Sequence, residues 1–266
     1  MYSKSHERHS ADQSIERNRY NQRAAAALGA KKVTNFGPDG ALGVPADFRA
    51  PYIQFEAAIA KQSRPGLKAL DVCCGDGLHS MTAARLGVEV TVCDIAENNL
   101  LLAEQRAARA GLAIRSFVAN AESIPERAET YDILTCAGSL SYVDLDTFLG
   151  EVRRVLRPGG AFVFVDSLNH NPIYRFNRWV RYLRGQRSKS TLERMPTLAT
   201  LARIRQDFPD LEVSFHGVFS FLIPTLNSMG LSRLGVWLDE KASSLHVLDR
   251  FAFKVVGAGH KPSAPN

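Results

Sequence analysis

The sequence predicts an α/β fold in which a mostly parallel, doubly wound sheet is covered by helices on both faces. Three observations predict this fold. From Leu67 onward, short apolar runs of strand type alternate with amphipathic stretches of helical length. The runs are rich in Val, Ile and Leu and lack a polar side, as strands buried on both faces do. The first run ends in a glycine loop that leads directly into a helical stretch, which is the connection that parallel strands need.

Two helical segments precede the first strand. The stretch from Ala11 to Leu28 is rich in Ala with Arg, Glu and Gln, a helical composition, and a segment rich in Gly and Pro follows it. A second helical stretch covers about 47–62. We expect residues 1–62 to form a helical flank or lid on a main domain assigned to residues 63–257.

Five strand runs follow, and their sequences are LKALDVCC, VEVTVCD, AIRSFVAN, YDILTCA and AFVFVDS. After Ser167 the alternation stops, and the basic, aromatic segment 168–208 is expected to form a cap. A helical insertion is expected at 223–248, between the strand-like runs LEVSFHGVFSFL and RFAFKVVG. Residues 258–266 have the composition of a disordered tail.

The composition of the 266 residues is that of an ordinary globular protein, with 45% hydrophobic and 23% charged residues. No apolar run is long enough to cross a bilayer, and the amino terminus is polar where a secretory signal would be apolar, so we expect a cytoplasmic protein. A net charge of +6 favours anionic partners without implying nucleic acid. The four cysteines lie in or beside apolar runs without C-x-x-C spacing, which predicts buried or half-buried thiols and no zinc site or disulfide framework.

The motif with the clearest chemistry is LDVCCGDGLHS, from Leu70 to Ser80. Two glycines one residue apart let the backbone turn sharply and approach a ligand, and the first N–H groups of the following helix can donate to a carboxylate or phosphate. Ser80 stands where the dinucleotide fingerprint needs Gly or Ala. Asp71 would repel a pyrophosphate but would complement a ligand ammonium group. These residues favour a cationic cofactor over NAD.

The segment LDVCCGDG resembles the first motif of the class I S-adenosylmethionine-dependent methyltransferases. The resemblance covers about 67–166 with good specificity. In that family an acid at the end of the second strand, here Asp94, accepts from the ribose hydroxyls, and the next residue, Ile95, often touches adenine. Asn120, Ala121 and Glu122 resemble the step that faces the adenine edge, although Asn replaces the usual Asp. The resemblance implies a seventh strand that is antiparallel and inserted beside the fifth. It also implies that S-adenosyl-L-methionine is the cofactor, with Asp71, Cys73, Gly75, Gly77, Asp94, Ile95, Asn120, Ala121, Glu122 and Ala137 in its site.

Three further residues are candidates for the site, one on the cofactor side and two on the acceptor side. Tyr20 resembles an aromatic residue that some family members fold over the sulfonium, a cation that a ring face stabilises. Tyr142, in the turn after the fourth strand, is expected to line the acceptor pocket or to be a packing residue. His170 is the candidate general base, because His takes up protons near neutral pH. The alternative for His170 is a ring that holds its turn by hydrogen bonds. No metal ligand set is evident, since Asp166 and Asn169 lack further partners in the sequence.

Arginines recur every third residue from Arg175 to Arg187, with aromatic and aliphatic residues between them. The pattern predicts a helix with a broad basic surface, suited to a phosphorylated acceptor, to an anionic membrane surface or simply to solvent. The function expected from all of these features is O- or N-methylation of a small molecule such as a natural product, a sugar or a quinone-like compound. A lipid-linked acceptor and a non-catalytic module of the same fold remain alternatives.

Overall fold

The central feature of the protein is one sheet of seven strands: β1 (Lys68–Val72), β2 (Glu89–Asp94), β3 (Ile114–Val118), β4 (Tyr131–Ala137), β5 (Leu156–Ser167), β6 (Glu212–His216) and β7 (Lys254–His260). The strand order is β3-β2-β1-β4-β5-β7-β6. The first five strands in this order pair in parallel, and β7 pairs antiparallel with both β5 and β6. The predicted doubly wound sheet with an antiparallel last strand beside the fifth is therefore confirmed.

This architecture comes from a computed structural model, which describes residues 2–29, 39–184, 189–222 and 246–263, with the single residues 226, 228, 229, 237 and 241. Its helices are α1 (Tyr2–Gly29), α2 (Ala50–Gln62), α3 (Met81–Arg85), α4 (Glu97–Arg109), α5 (Leu145–Val155), α6 (Pro172–Leu183), α7 (Lys189–Glu193) and α8 (Leu198–Asp207). Short 3-10 turns occur at Gly40–Gly43, Ala46–Phe48, Ser220–Leu222 and His246–Phe251. No helix among the described residues is both long and apolar enough to cross a membrane.

Two apolar clusters, one on each face of the sheet, form the core. On one face, α2, α3 and α4 contribute residues such as Phe55 and Leu100. On the other, α5 and α8 contribute residues such as Phe148 and Ile204. Along β5 the side chains alternate between the two clusters, because successive residues of a strand point to opposite faces. This double burial explains why the strand sequences show no polar side.

The seventh strand packs closely on the fifth at Gly257. A Cβ at this position would lie 2.4 Å from the ring of Phe164, so the buried ring leaves room only for glycine. The antiparallel insertion of β7 thus depends on a small residue opposite a large one.

The structure changes several boundaries expected from the sequence. β6 ends at His216, and the apolar run after it turns into the 3-10 segment Ser220–Leu222. β7 extends to His260, so residues 258–260, which we expected in a disordered tail, belong to the sheet. Most of the helical insertion expected at 223–248 lies outside the described residues. The domain boundaries themselves stay predictions.

Candidate functional site

The loop between β1 and α3 passes through three residues with left-handed backbone conformations, Cys73 (φ 55°), Gly75 (φ 55°) and Gly77 (φ 70°). A Cβ at Gly77 would stand 2.8 Å from the Cβ of Ala103 on α4, so this glycine permits close packing of the loop on the helix. A Cβ at Gly75 would meet no atom within 4 Å. The backbone of Gly75 therefore borders open space in which a ligand could approach it.

A second glycine with the same property follows β4. Gly138 has φ 73°, and a Cβ there would also have no neighbour within 4 Å. The strand order reverses direction between β1 and β4, and ligands of open α/β sheets bind at such a switch point beyond the carboxyl ends of the strands. Gly75 and Gly138 lie on its two sides. Sequence reasoning missed Gly138, although its place directly after the run YDILTCA was a usable signal.

Asp94, at the end of β2, is tied to the glycine loop. Its Oδ2 atom accepts the backbone N–H of Gly75 at 2.9 Å, and its Oδ1 atom accepts the N–H of Ala96 at 2.8 Å and the side-chain amide of Asn99 at 3.3 Å. Burial raises the pKa of this carboxyl although the three donors favour its charged form. A carboxylate oxygen has two lone pairs, so Oδ2 can bind Gly75 and still accept from a ligand hydroxyl.

Asp71 has both oxygens engaged by the protein. Its Oδ1 atom accepts the hydroxyl of Thr135 at 2.7 Å, and its Oδ2 atom accepts the hydroxyl of Ser80. The side chain is buried, which raises its pKa. Asp71 therefore joins β1, β4 and the start of α3 around the loop, and its predicted contact with a ligand ammonium group would share these oxygens. No sequence pattern indicated the contact between Thr135 and Asp71.

The turn after β3 is held by a residue of α1. The Oδ1 atom of Asn120, which we expected to meet adenine, accepts the backbone N–H of Glu122 at 3.0 Å. The side-chain amide of Gln13 accepts from Asn120 at 3.1 Å and donates to the carboxylate of Glu122 at 2.9 Å. Glu122 also accepts the N–H of Asp144, the residue before α5, at 2.8 Å. Ala121, between the two turn residues, is buried.

Helix α1 crosses the carboxyl edge of the sheet through further contacts. The side chain of Asn21 accepts the backbone N–H of Asn98 on α4 at 3.1 Å, and its carbonyl accepts the Asn98 side chain at the same distance. Asp12 pairs with Arg194 of the cap at 3.1 Å. The predicted amino-terminal flank therefore lies over the ends of the strands, which is the position of a lid.

Tyr20 and Tyr142, which were predicted separately, meet under this helix. The Tyr20 hydroxyl donates to the Tyr142 hydroxyl at 3.2 Å, and their rings pack edge to face with centroids 6.0 Å apart. Arg19 donates to the same oxygen of Tyr142 at 3.5 Å and pairs with Glu16. Burial raises the pKa of Tyr20 well above its ordinary value, so this phenol stays protonated.

His170, the candidate general base, makes a hydrogen bond that joins its turn to the start of α8. Its Nε2 atom accepts the backbone N–H of Leu198, the first residue of α8, at 2.9 Å. The lone pair of this nitrogen therefore accepts the Leu198 N–H. The backbone N–H of Asn169 donates to Pro196 at 2.9 Å and joins the same two segments.

Asp166, at the end of β5, shapes the loop that carries Tyr142. Its oxygens accept the backbone N–H groups of Leu140 at 2.8 Å and of Ser167 at 2.6 Å. Burial raises its pKa, and the charge of Lys254 opposes this shift. In the part of the chain that the structure describes, no cluster of three or more His, Cys, Asp or Glu residues is arranged to hold a metal ion.

The remaining predicted residues lie at the ends of strands. Ile95 and Ala137 are half-buried, at the carboxyl ends of β2 and β4. All four cysteines are free, two buried and two half-buried, which confirms their predicted burial. Burial raises the pKa of the Cys73 thiol, so it stays protonated and is not a nucleophile at neutral pH.

Polar contacts made by two residues, His79 and Arg106, support the glycine loop and were missed by sequence reasoning. The His79 ring lies 3.0 Å from the carboxylate of Glu56 on α2. Arg106 of α4, which is buried, donates to the carbonyl of Asp76 at 3.0 Å, to its carboxylate at 2.6 Å, and to Asp39 at 2.8 Å. These groups are distant in sequence and follow no motif, so no local pattern could have indicated them.

A sheet of this order, with a glycine loop after β1 and an acid at the end of β2, resembles the architecture of the class I S-adenosylmethionine-dependent methyltransferases. Residues 69–160 match the family model described as "Methyltransferase domain". This segment thus has the sequence of a methyltransferase domain, and the resemblance seen in the sequence is confirmed.

Comparison with known proteins gives both curated relatives and similar structures. The ubiquinone biosynthesis O-methyltransferase of Rhizobium etli is 35% identical over 112 residues, which are 41% of this chain and 45% of the relative. The match thus spans less than half of that relative. Geranyl diphosphate methyltransferase in complex with GPP and sinefungin has a TM-score of 0.62 at 20% identity, covering 94% of this chain and 99% of that one. The [4+2]-cyclase SpnF has a TM-score of 0.60 at 17% identity, covering 91% and 94%. These two structures share the fold.

Proposed function

We propose that this protein is an S-adenosylmethionine-dependent methyltransferase that methylates an oxygen or nitrogen atom of a small-molecule acceptor. One observation carries the proposal: the backbone of Gly75 borders open space at the switch point of the sheet, while its N–H group binds the carboxylate of Asp94. Both residues lie inside the segment that matches the methyltransferase domain model.

The residues present fit such a cofactor. The open space beside Gly75 and Gly138 is what a ligand lying across the switch point needs. Asp94 keeps acceptor capacity for ribose hydroxyls, and Asp71 is a buried acid near the position expected for the ammonium group. The turn formed by Asn120 and Glu122 would lie beside the adenine. When bound, the cofactor supplies a sulfonium methyl group that is open to in-line displacement.

The protein then has to orient the acceptor and keep water out. Helix α1 covers the carboxyl edge of the sheet through Gln13 and Asn21, so it can exclude water from the reacting atoms. Tyr20 is assigned to the cofactor side, where its ring would face the sulfonium, and Tyr142 to the acceptor pocket. The hydrogen bond between their hydroxyls fixes both rings relative to each other.

A dedicated base is not needed for every acceptor, because an amine or a phenolate can attack without one. His170 was the candidate from the sequence. Its Nε2 atom accepts from Leu198, which supports a positioning role for this ring in the cap. We therefore assign the main catalytic contribution of the chain to orientation.

The names of the curated relatives favour a quinone-like acceptor over a sugar. Rhizobium etli and Cereibacter sphaeroides contain relatives named ubiquinone biosynthesis O-methyltransferase, at 35% and 37% identity. An aromatic hydroxyl on a quinone precursor, free or lipid-linked, is the acceptor class to try first.

Isothermal titration with S-adenosylhomocysteine tests the cofactor assignment. The wild type should bind in the micromolar range, and Asp94→Ala should abolish binding while keeping a cooperative thermal transition. Glu97→Ala is the matched control, because Glu97 is an exposed acid at the start of the next helix. A folded wild type that binds no cofactor would refute the proposal and favour a non-catalytic module with this fold.

A further inference from the structure

Two polar side chains of helix α6, Tyr174 and Arg178, point into the protein and form hydrogen bonds there. The Tyr174 hydroxyl donates to the carbonyl of Gly217 at 3.0 Å, and Arg178 donates to the carbonyl of Leu168 at 2.6 Å and to the side chain of Asn169 at 2.9 Å. Tyr174 and Arg178 are 8% and 5% exposed. The arginine pattern predicted a basic surface that includes Arg178, and the structure corrects this by burying it.

The opposite side of the same helix is apolar and exposed. Phe176 is 61% exposed, Trp179 48% and Leu183 61%, and Ile173 continues the row toward the start of the helix. At about 100° per residue, Phe176, Trp179 and Leu183 fall within an arc of about 60°, centred roughly opposite Tyr174 and Arg178. A helix in a soluble globular protein normally presents its charged side to water and its apolar side to the core. Here three large apolar side chains face outward while Arg178 faces inward, which indicates a partner on the outer side.

The charged residues in this stretch of the sequence are all positive. No Asp or Glu occurs between Asp166 and Glu193, whereas six Arg and Lys residues do. Of these, Arg175 and Arg184 are exposed, and on the helical wheel they lie on either side of the apolar row. An apolar row with Trp and Phe, bordered by arginines, is the composition of helices that lie in a lipid headgroup region.

We propose that the outer face of α6, formed by Ile173, Phe176, Trp179 and Leu183 and bordered by Arg175 and Arg184, docks on an anionic phospholipid surface. The aromatic and aliphatic side chains would enter the acyl boundary, and the long arginine side chains would reach the phosphates. A second copy of the chain suits this face less well, because a two-fold contact would bring the arginine borders of both copies together.

The location of α6 links the surface to the proposed function. The helix begins at Pro172, a few residues after Asp166 at the end of β5, so it starts at the edge of the sheet that holds the candidate site. On the assumption of that function, membrane docking would bring the acceptor pocket close to a lipid-linked acceptor. The docking itself does not depend on catalysis.

The test uses the full chain with large unilamellar vesicles of phosphatidylcholine alone or mixed with phosphatidylglycerol. In a Trp237→Phe background Trp179 is the only tryptophan, since the chain has two. The protein should co-sediment with anionic vesicles, and its Trp179 fluorescence emission should shift to the blue. Added salt should weaken both effects. Phe176→Ser/Leu183→Ser should reduce partitioning by at least about tenfold, and Arg175→Glu/Arg184→Glu should reduce it selectively for anionic vesicles.

The matched control is Leu42→Ser/Leu101→Ser, which removes two equally apolar, exposed side chains elsewhere and should leave vesicle binding unchanged. Titration with S-adenosylhomocysteine on every variant separates this proposal from the cofactor assignment. Absence of vesicle binding by a cofactor-competent wild type would overturn the docking proposal alone. So would self-association by light scattering that the Phe176 and Leu183 changes abolish, because it would assign the face to a second copy.

Discussion

The hydroxyl of Tyr20 on the amino-terminal helix donates to the hydroxyl of Tyr142 at 3.2 Å, and the two rings meet edge to face. One residue comes from the lid and the other from the loop after β4, so this contact joins the proposed cofactor side of the cleft to its acceptor side. It also fixes where the Tyr20 ring stands, which leads to a specific expectation about ligand charge.

Tyr20→Ala should weaken binding of S-adenosylmethionine by about fivefold to tenfold, because a ring facing a partly desolvated cation contributes about 1 kcal/mol. S-adenosylhomocysteine lacks the positive charge, so its affinity should change much less. Tyr20→Phe keeps the ring and serves as the control. Titration of both ligands into the three proteins measures the ratio, and an equal loss for both ligands would contradict a cation–π role.

Gln13→Ala should loosen the lid. The Gln13 amide bridges Asn120 and Glu122 across the turn after β3, and without it α1 loses two hydrogen bonds to the sheet edge. We expect faster amide hydrogen exchange in α1 and a dissociation rate for S-adenosylhomocysteine that rises several-fold. Gln22→Ala, an exposed glutamine on the same helix, is the matched control. Unchanged exchange in α1 after Gln13→Ala would show that other contacts hold the lid.

Glu151→Gln should destabilise the fold in a pH-dependent way. Arg154 donates to both oxygens of Glu151 and lowers the pKa of this carboxyl below its ordinary value of 4.5. A lowered pKa stabilises the fold above the unfolded value, and that contribution disappears as pH falls through the folded value. The difference in unfolding free energy between wild type and variant should be about 1–2 kcal/mol at pH 7 and shrink below pH 4.5. Urea unfolding across this range measures it, and a difference independent of pH would refute the ion-pair account.

His170→Ala should lower stability by about 0.5–1 kcal/mol, because the first backbone N–H of α8 loses its acceptor. If the ring only positions the cap, the pH profile of kcat should keep its shape. Denaturant unfolding together with a pH–rate profile separates the two roles. If the variant loses a limb of the profile near neutral pH, the positioning role is wrong and His170 is the general base.

The sequence predicted the fold and those site residues that lie at the carboxyl ends of the strands. Gly75 lies in the loop after β1 and Asp94 is the last residue of β2. The carboxyl ends of parallel strands meet at one edge, so local position was enough to place the two residues together. The alternation of apolar runs likewise predicted the sheet, because burial on both faces leaves a clear pattern in composition.

Long-range contacts were beyond such reasoning. Gln13 and Asn120 are 107 residues apart in the sequence. A hydrogen bond between two single side chains leaves no periodic pattern from which it could be predicted. Arg178 was placed on a basic surface because charge usually faces water, yet the carbonyl of Leu168 and the side chain of Asn169 satisfy it inside the protein. Burial of a polar group depends on acceptors contributed by other segments, which only the tertiary structure shows.

The position of β7 between β5 and β6 has a consequence for biosynthesis. β6 pairs only with β7 in the sheet, and β5 has its second neighbour in β7, yet β7 is the last of the seven strands to be translated. While the ribosome is still adding residues 217–253, β5 presents an unpaired edge and β6 has no partner. Such edges attract other chains. A nascent chain stalled before Lys254 should therefore be a strong client of ribosome-associated chaperones, and release of the final strand should end that dependence.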